Sequence, residues 1–356
     1  MNSVQRRGLV NASVAAIATF AIGSAVVYAA AGPDDVSTPP PSATGASASP
    51  TPTCTPTWEV VRSANPGEAP ITLLGVSAVT SAEGWAVGGI GQPEIPTAVA
   101  MMRWDGDRWL PFPAPSPGTT LNELRAVDAS EPNDVWAVGR TSSGLGEQPL
   151  VLHFDGTEWS DVELPSEIDG VLNGVAAISP VDVWAVGSVG DPAASLERPL
   201  VLHWDGTAWA DVEVGRATGG GKAALVDIQG VSPTDLWAVG YQHFKPLIIR
   251  FDGQTWTEAP ITRADAELVD VAAIGGQDIW AVGSRPAKDP GTTRAAVYRY
   301  SGHRWVPVEG PSIAGSDALS AVDALPDGTL LAVGWKDVDL QRETLAIRGT
   351  TCPPEG

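Results

Sequence analysis

The sequence predicts an all-β fold, a six-bladed β-propeller of four-stranded blades, on three observations. Thirteen of the fourteen tryptophans fall at three positions of one repeated unit. Short apolar runs alternate with turn residues, and no helical period follows residue 31. The unit recurs about every 40–50 residues, the span of one four-stranded blade.

Each unit reads from its first strand outward. Leu73, Leu124, Leu172, Leu225, Leu268 and Leu319 open the first strand. Three residues on stands an aliphatic: Val76, Val127, Val175, Ile228, Val271 or Val322. The second strand begins at a W-A-V-G tetrapeptide, with Trp85, Trp136, Trp184, Trp237 and Trp280. The sixth unit has Leu331 there. An acid lies two residues before the tryptophan in five units: Glu83, Asp134, Asp182, Asp235 and Asp278. The third strand ends on Asp-Gly at Asp105, Asp155, Asp205 and Asp252, and on Ser-Gly at Ser301. Asp-Gly favours a hairpin because both residues tolerate positive φ. The fourth strand carries a closing tryptophan: Trp109, Trp159, Trp209, Trp256 or Trp305.

The sixth unit ends before any closing tryptophan, and the missing strand is at the front, Trp58-Glu-Val-Val-Arg. The expected ring closes when this N-terminal strand completes the last blade, so that no blade keeps an open edge. The only cysteines, Cys54 and Cys352, lie at the two ends of that seam. In an exported chain they are expected to form a disulfide.

Export follows from residues 1–31. Arg6 and Arg7 precede an uncharged stretch from Gly8 to Ala31 that ends on three alanines. This reads as a signal peptide or an N-terminal membrane anchor, and either one sends the remainder out of the cytoplasm. Residues 32–57 are rich in Pro, Ser and Thr and form a disordered linker. The propeller spans 58–352, and 353–356 are a tail. A net charge of −21 repels phosphate backbones, which excludes nucleic acid as a partner. Membrane contact is expected only through the N-terminal segment, and the expected state is a monomer.

The pair of motifs, D-h-W-A-V-G followed by h-h-H-W-D-G-T-x-W (h, aliphatic or other apolar), resembles the tandem repeats of exported bacterial propeller proteins. It is distantly similar to the Asp-box (BNR) repeats of sialidase-type propellers and to tectonin repeats. The Asp-box has one more residue between Asp and Gly. In those families the box builds turns, so the resemblance implies fold rather than activity.

Sialidase-type chemistry needs an arginine triad, a tyrosine nucleophile and an acid. Beyond the leader only Tyr241, Tyr298 and Tyr300 remain, and no motif pairs Tyr241 with an acid. His153 and His203 occupy equivalent strand positions one blade apart, too far for a shared metal, and are expected to pack beside aromatics. GGGK at 219–222 lacks the Ser or Thr of a phosphate loop. Asp128, Asp227, Asp270 and Asp323 share one parity on the first strands. They form either an incomplete carboxylate ring holding Ca²⁺ or a hydrated polar channel; no other cofactor is expected. The loop expected after W-A-V-G varies most, and Arg140, Tyr241, Lys245 and Trp335 are its candidate ligand-binding residues. The expected function is non-enzymatic: a scaffold at the cell envelope for an extracytoplasmic protein or glycan. The alternative is a sialidase-like glycoside hydrolase or lyase working at the channel mouth.

Overall fold

The computed structural model describes Arg62, Ser63 and residues 71–350, apart from 81, 93–94, 145, 166–167, 169, 192–195, 215–221, 263–264, 274–277, 310–315, 325–328 and 339–340. The expected leader, linker, Cys54, Trp58 and Cys352 lie outside the described residues. Every described element is a strand. After β1 (Arg62–Ser63), the first sheet holds β2 (Ile71–Thr80), β3 (Glu83–Gln92), β4 (Ile95–Trp104) and β5 (Arg108–Pro111). The second holds β6 (Leu121–Glu131), β7 (Asp134–Ser142), β8 (Gln148–Phe154) and β9 (Trp159–Asp161). The third holds β10 (Gly170–Ser179), β11 (Asp182–Asp191), β12 (Leu196–Trp204) and β13 (Trp209–Asp211). The fourth holds β14 (Ala223–Ser232), β15 (Asp235–Gln242), β16 (Lys245–Phe251) and β17 (Trp256–Glu258). The fifth holds β18 (Glu267–Ala273), β19 (Ile279–Pro286), β20 (Thr293–Tyr300) and β21 (Trp305–Val308). The sixth has three described strands, β22 (Asp317–Ala324), β23 (Thr329–Val338) and β24 (Gln341–Thr350).

Within each sheet the strands run antiparallel in chain order. First strands of successive sheets lie against one another, as in β2–β6, β6–β10 and β14–β18. The exception to chain order is β1, which pairs in parallel with β5 at the outer edge of the first sheet.

Each first strand carries a bulge directly after its leucine, for example between Leu172 and Gly174 and between Leu225 and Asp227. A bulge twists a strand and brings its backbone across its neighbour. That crossing explains the glycine of W-A-V-G. A Cβ on Gly139 would lie 2.0 Å from Glu123 O, and one on Gly240 would lie 2.1 Å from Ala224 O.

The core sits between sheets. Four of the five W-A-V-G tryptophans pack on the closing tryptophan of the next sheet. Ring centroids are 5.1 Å apart for Trp85–Trp159, 5.4 Å for Trp136–Trp209, 5.7 Å for Trp184–Trp256 and 5.5 Å for Trp237–Trp305. All eight rings are buried. Aromatic payload of this size dominates core energetics.

The Asp-Gly turns differ from the sequence expectation. Only the glycines have positive φ: 96° at Gly106, 94° at Gly156, 91° at Gly206 and 91° at Gly253. The aspartate acts through its side chain instead. Asp155 Oδ1 accepts the backbone N–H groups of Thr157 and Glu158 at 2.8 and 3.1 Å. The connection is therefore an Asx-capped four-residue loop, not a two-residue type I′ turn.

Candidate recognition face

Antiparallel order puts two sets of connections at opposite ends of each sheet. Asp-Gly loops share an end with the turn between first and second strands; Gly156, for instance, faces Asn133. The opposite end, here the hairpin face, holds the tips between second and third strands.

The strand histidines are structural. His153 Nε2 meets Asp134 Oδ1 at 2.7 Å and its ring stacks on Trp136 at 4.2 Å. His203 repeats this with Asp182 at 2.8 Å and Trp184 at 4.1 Å. Trp136 and Trp184 also donate their indole N–H to the same acids. In the fourth and fifth sheets arginine replaces histidine. Arg250 pairs with Asp235 at 2.7 Å and lies over Trp237, and Arg299 does the same with Asp278 and Trp280. In the second, third and fifth sheets one acid thus orients both the tryptophan and the imidazole or guanidinium that covers it.

The first-strand carboxylates stitch sheets together. Asp128 Oδ2 accepts Ala177 N–H at 2.9 Å, Asp227 Oδ2 accepts Val271 N–H at 3.2 Å, and Asp270 Oδ2 accepts Val322 N–H at 2.8 Å. Each acceptor reaches the next sheet's first strand, one position further along the repeat. All three sit deep, although their accessible surface is intermediate rather than nil. Depth governs their titration, because water reaches them only in part. Burial pushes the Asp128 carboxyl up to about 6. Burial also raises Asp227 and Asp270, which hydrogen-bond to each other, and the charge of Asp227 raises Asp270 further. Two acids in contact hold a proton between them. Asp323 is half-buried opposite Leu331. Among the described residues no group of three or more His, Cys, Asp or Glu side chains is placed to hold a metal ion.

The candidate ligand-binding residues are on strands, not in loops. Arg140 on β7, Tyr241 on β15 and Trp335 on β23 hold one repeat position, the residue after W-A-V-G or L-A-V-G. Lys245 begins β16 and is exposed. Pairing persists past the tetrapeptide because the ladder continues to the hairpin tip, as in Gln242 opposite Lys245. Trp335 stands across from Ala318 and Thr344 in backbone register.

Arg140 and Tyr241 belong to two separate networks. Arg140 donates to Glu123 and Glu147, both at 2.7 Å, and Glu123 also accepts from Arg125 at 3.0 Å. Arg125 continues to Asn173 of the next sheet at 2.5 Å, and Asn173 to Leu225 O at 2.8 Å. This chain ties three sheets at their bulges. Tyr241 Oη donates to Glu197 Oε2 of the preceding sheet at 2.9 Å. Lys222 Nζ approaches the same buried carboxylate at 4.0 Å and lies 5.6 Å from the Phe244 ring. Burial, then the hydrogen bond to Glu197, hold the Tyr241 phenol well above its ordinary pKa.

Sequence reasoning missed Glu197 and Phe244. Glu197 repeats Glu147, each two residues before a P-L-V-L-H run, and that repeat was the signal that could have found it. Phe244 also carried a signal: the β15–β16 tip is His243-Phe244, with no glycine or asparagine. Their φ values are 50° and 63°, the only positive φ among described non-glycine residues. Left-handed backbone costs roughly 1–2 kcal/mol per ordinary residue. Phe244 is also 86% exposed, more than any other large apolar side chain described.

No known protein-family profile matches the chain, and no curated protein matches it in sequence. Solved structures do resemble it. A protein of unknown function from Dyadobacter fermentans superposes with a TM-score of 0.52 at 11% identity, covering 81% of this chain and 96% of that one. The GH74 xyloglucanase from Xanthomonas campestris gives 0.53 at 13% identity, over 77% of this chain and 43% of that one. YCF48 from Cyanidioschyzon merolae gives 0.49 at 15%, over 76% and 81%. This chain spans less than half of the xyloglucanase. The neighbours are β-propeller-like, and at these identities the likeness shows the fold alone.

Proposed function

We propose that the chain is an exported, non-enzymatic propeller that binds a protein or glycan at the cell envelope through its hairpin face. The carrying observation is the Tyr241–Glu197–Lys222 cluster beneath exposed Phe244, a polar and aromatic group that interrupts a repeated frame. Rigid rings with variable tips are suited to recognition. The hydrolase reading has one observation in its favour, the Tyr241–Glu197 hydrogen bond. The raised phenol pKa opposes it, since a nucleophile is activated by a lowered one. Glycan-array and envelope pull-down signals that vanish in Tyr241→Ala or Trp335→Ala would support binding. Turnover of a fluorogenic aryl glycoside that vanishes in Tyr241→Phe would replace binding with hydrolysis.

In this reading six blades close through the N-terminal strand. Ile261, five residues after Trp256, pairs in parallel with Trp305 of the next sheet. Ser63, five residues after Trp58, pairs in parallel with Trp109 of the first sheet. The same relation across the seam makes Trp58 the closing tryptophan of the sixth blade and the partner of Trp280. The register extends to the cysteines. Gly349 opposes Leu330 as Phe251 opposes Leu236. Counting on, Cys352 takes the place of Gln254; counting back from Trp58, Cys54 takes the place of Asp252. Those two positions touch in the fourth sheet, Gln254 N–H donating to Asp252 Oδ1 at 2.9 Å. A Cys54–Cys352 disulfide would replace the turn that the chain ends interrupt. Peptide mapping under non-reducing conditions tests it; two free thiols would sink it.

A further inference from the structure

We infer that the β15–β16 tip is a recognition knob that inserts Phe244 into an apolar pocket rimmed by carboxylates on an exported protein partner. The inference rests on the hairpin face being the recognition surface. Three features of the tip support it.

Among the described residues, the tip carries side chains in left-handed backbone where its counterparts carry glycine. The corresponding hairpins use glycine for positive φ, at Gly91 (125°), Gly144 (117°), Gly190 (111°) and Gly291 (80°). Among the described residues, the fourth sheet alone places side chains, His243 and Phe244, at positive φ. Strained backbone that a glycine would relieve persists where the side chain has a use.

The tip is also held firmly. His243 N–H donates to Lys222 O at 2.8 Å, and Lys222 sits between the Phe244 ring and the buried Glu197 carboxylate, which Tyr241 also engages. An exposed aromatic on an ordered base binds with little loss of freedom. Aromatic anchors of this kind are typical interface hot spots.

The charge around it is distinctive. The chain carries −21, yet two of its four lysines, Lys222 and Lys245, flank Phe244 beside His243. Glu197 offsets Lys222, so exposed Lys245 supplies the outward positive charge, which in an acidic protein selects an acidic rim and rejects a basic one. The overall charge also opposes docking on an anionic leaflet, so a protein pocket is favoured over a membrane.

The test uses the exported chain and a bead-displayed library of random 12-residue peptides. Wild type is expected to enrich peptides combining aliphatic residues with Asp or Glu. Phe244→Ala should bind them about tenfold or more weakly. The double change His243→Asn with Phe244→Gly should also lose binding while raising Tm by about 2 °C, because it relieves the turn. A merely structural tip would lower Tm and leave binding alone. Enrichment untouched by Phe244→Ala but lost in Tyr241→Ala would overturn the knob and keep the face. Enrichment lost only in Val181→Asp, at the opposite end, would overturn both. Phe244-dependent binding to phosphatidylglycerol vesicles in place of peptides would overturn the protein pocket in favour of a membrane.

Discussion

Trp237 and Tyr241 stand four residues apart on β15, and their surroundings follow different rules. Trp237 repeats its neighbours from sheet to sheet: an acid two residues earlier, a cation over the ring and a closing tryptophan 5.5 Å away. Tyr241 shares its repeat position with Gly89, Arg140, Ser188, Ser284 and Trp335, and it reaches Glu197 of the preceding sheet, whereas Arg140 meets the equivalent Glu147 within its own sheet. Where partners repeat, the side chain builds the ring. Where they differ, it is free to recognise something. The comparison predicts that changes in the frame act on stability, and changes on the hairpin face act on binding.

The largest effect belongs to the frame. Trp136→Ala removes a buried ring that stacks on His153 and packs at an angle against Trp204 and Trp209. It should cost about 3–5 kcal/mol in urea unfolding and leave hairpin-face binding intact at low temperature. Equal loss of both would break the division between frame and face.

The next concerns pH, where inner and outer aspartates have opposite signs. Asp128 titrates at about 6 in the folded chain, against roughly 3.9 unfolded. The folded state binds the proton first, so this group adds stability as pH falls from 7 through 6 towards 4. The gain is on the order of 2 kcal/mol, and Asp128→Asn should flatten it in melts at pH 4–7. Asp205 behaves in reverse. Its Thr207 hydroxyl bond, then the N–H groups of Ala208 and Thr207, pull its carboxyl down to about 2. Its stabilisation holds above pH 4 and disappears as pH falls through 2. Asp205→Ala should therefore lower Tm at pH 7 slightly and remove part of the acid loss between pH 4 and 2. A melt showing the same slope at both sites would contradict the depth argument.

The smallest stability effect falls on the face. Phe244→Ala removes a side chain that is 86% exposed, and its Tm should stay within about 1 °C of wild type.

Much of this frame is legible in the sequence. The W-A-V-G period, the closing tryptophans and the acids at −2 mark the strands, because each reports a contact that every blade must make. The histidine positions are legible for the same reason. The Asp-Gly loops are found in the right places, but the aspartate caps with its carboxylate rather than with positive φ. The recognition residues are less legible. Arg140 and Tyr241 are strand residues whose partners, Glu147 and Glu197, share one repeat position, but the period does not tell that Arg140 meets its acid within one sheet and Tyr241 across two. The four first-strand aspartates share one parity, yet parity alone hides that Asp128, Asp227 and Asp270 reach into the next sheet. Phe244 was visible only as a glycine missing from a tight turn.

The most direct test of recognition through the hairpin face is a photo-crosslinking scan in the living cell. A photoreactive residue is placed at Ile95, Phe244 or Lys245 on the hairpin face, and at Val181, Thr207 or Gln254 on the Asp-Gly face. Discrete adducts from the hairpin face, strongest at 244 and absent from the Asp-Gly face, are the predicted result. Adducts confined to the Asp-Gly face, or equal from both, would contradict it.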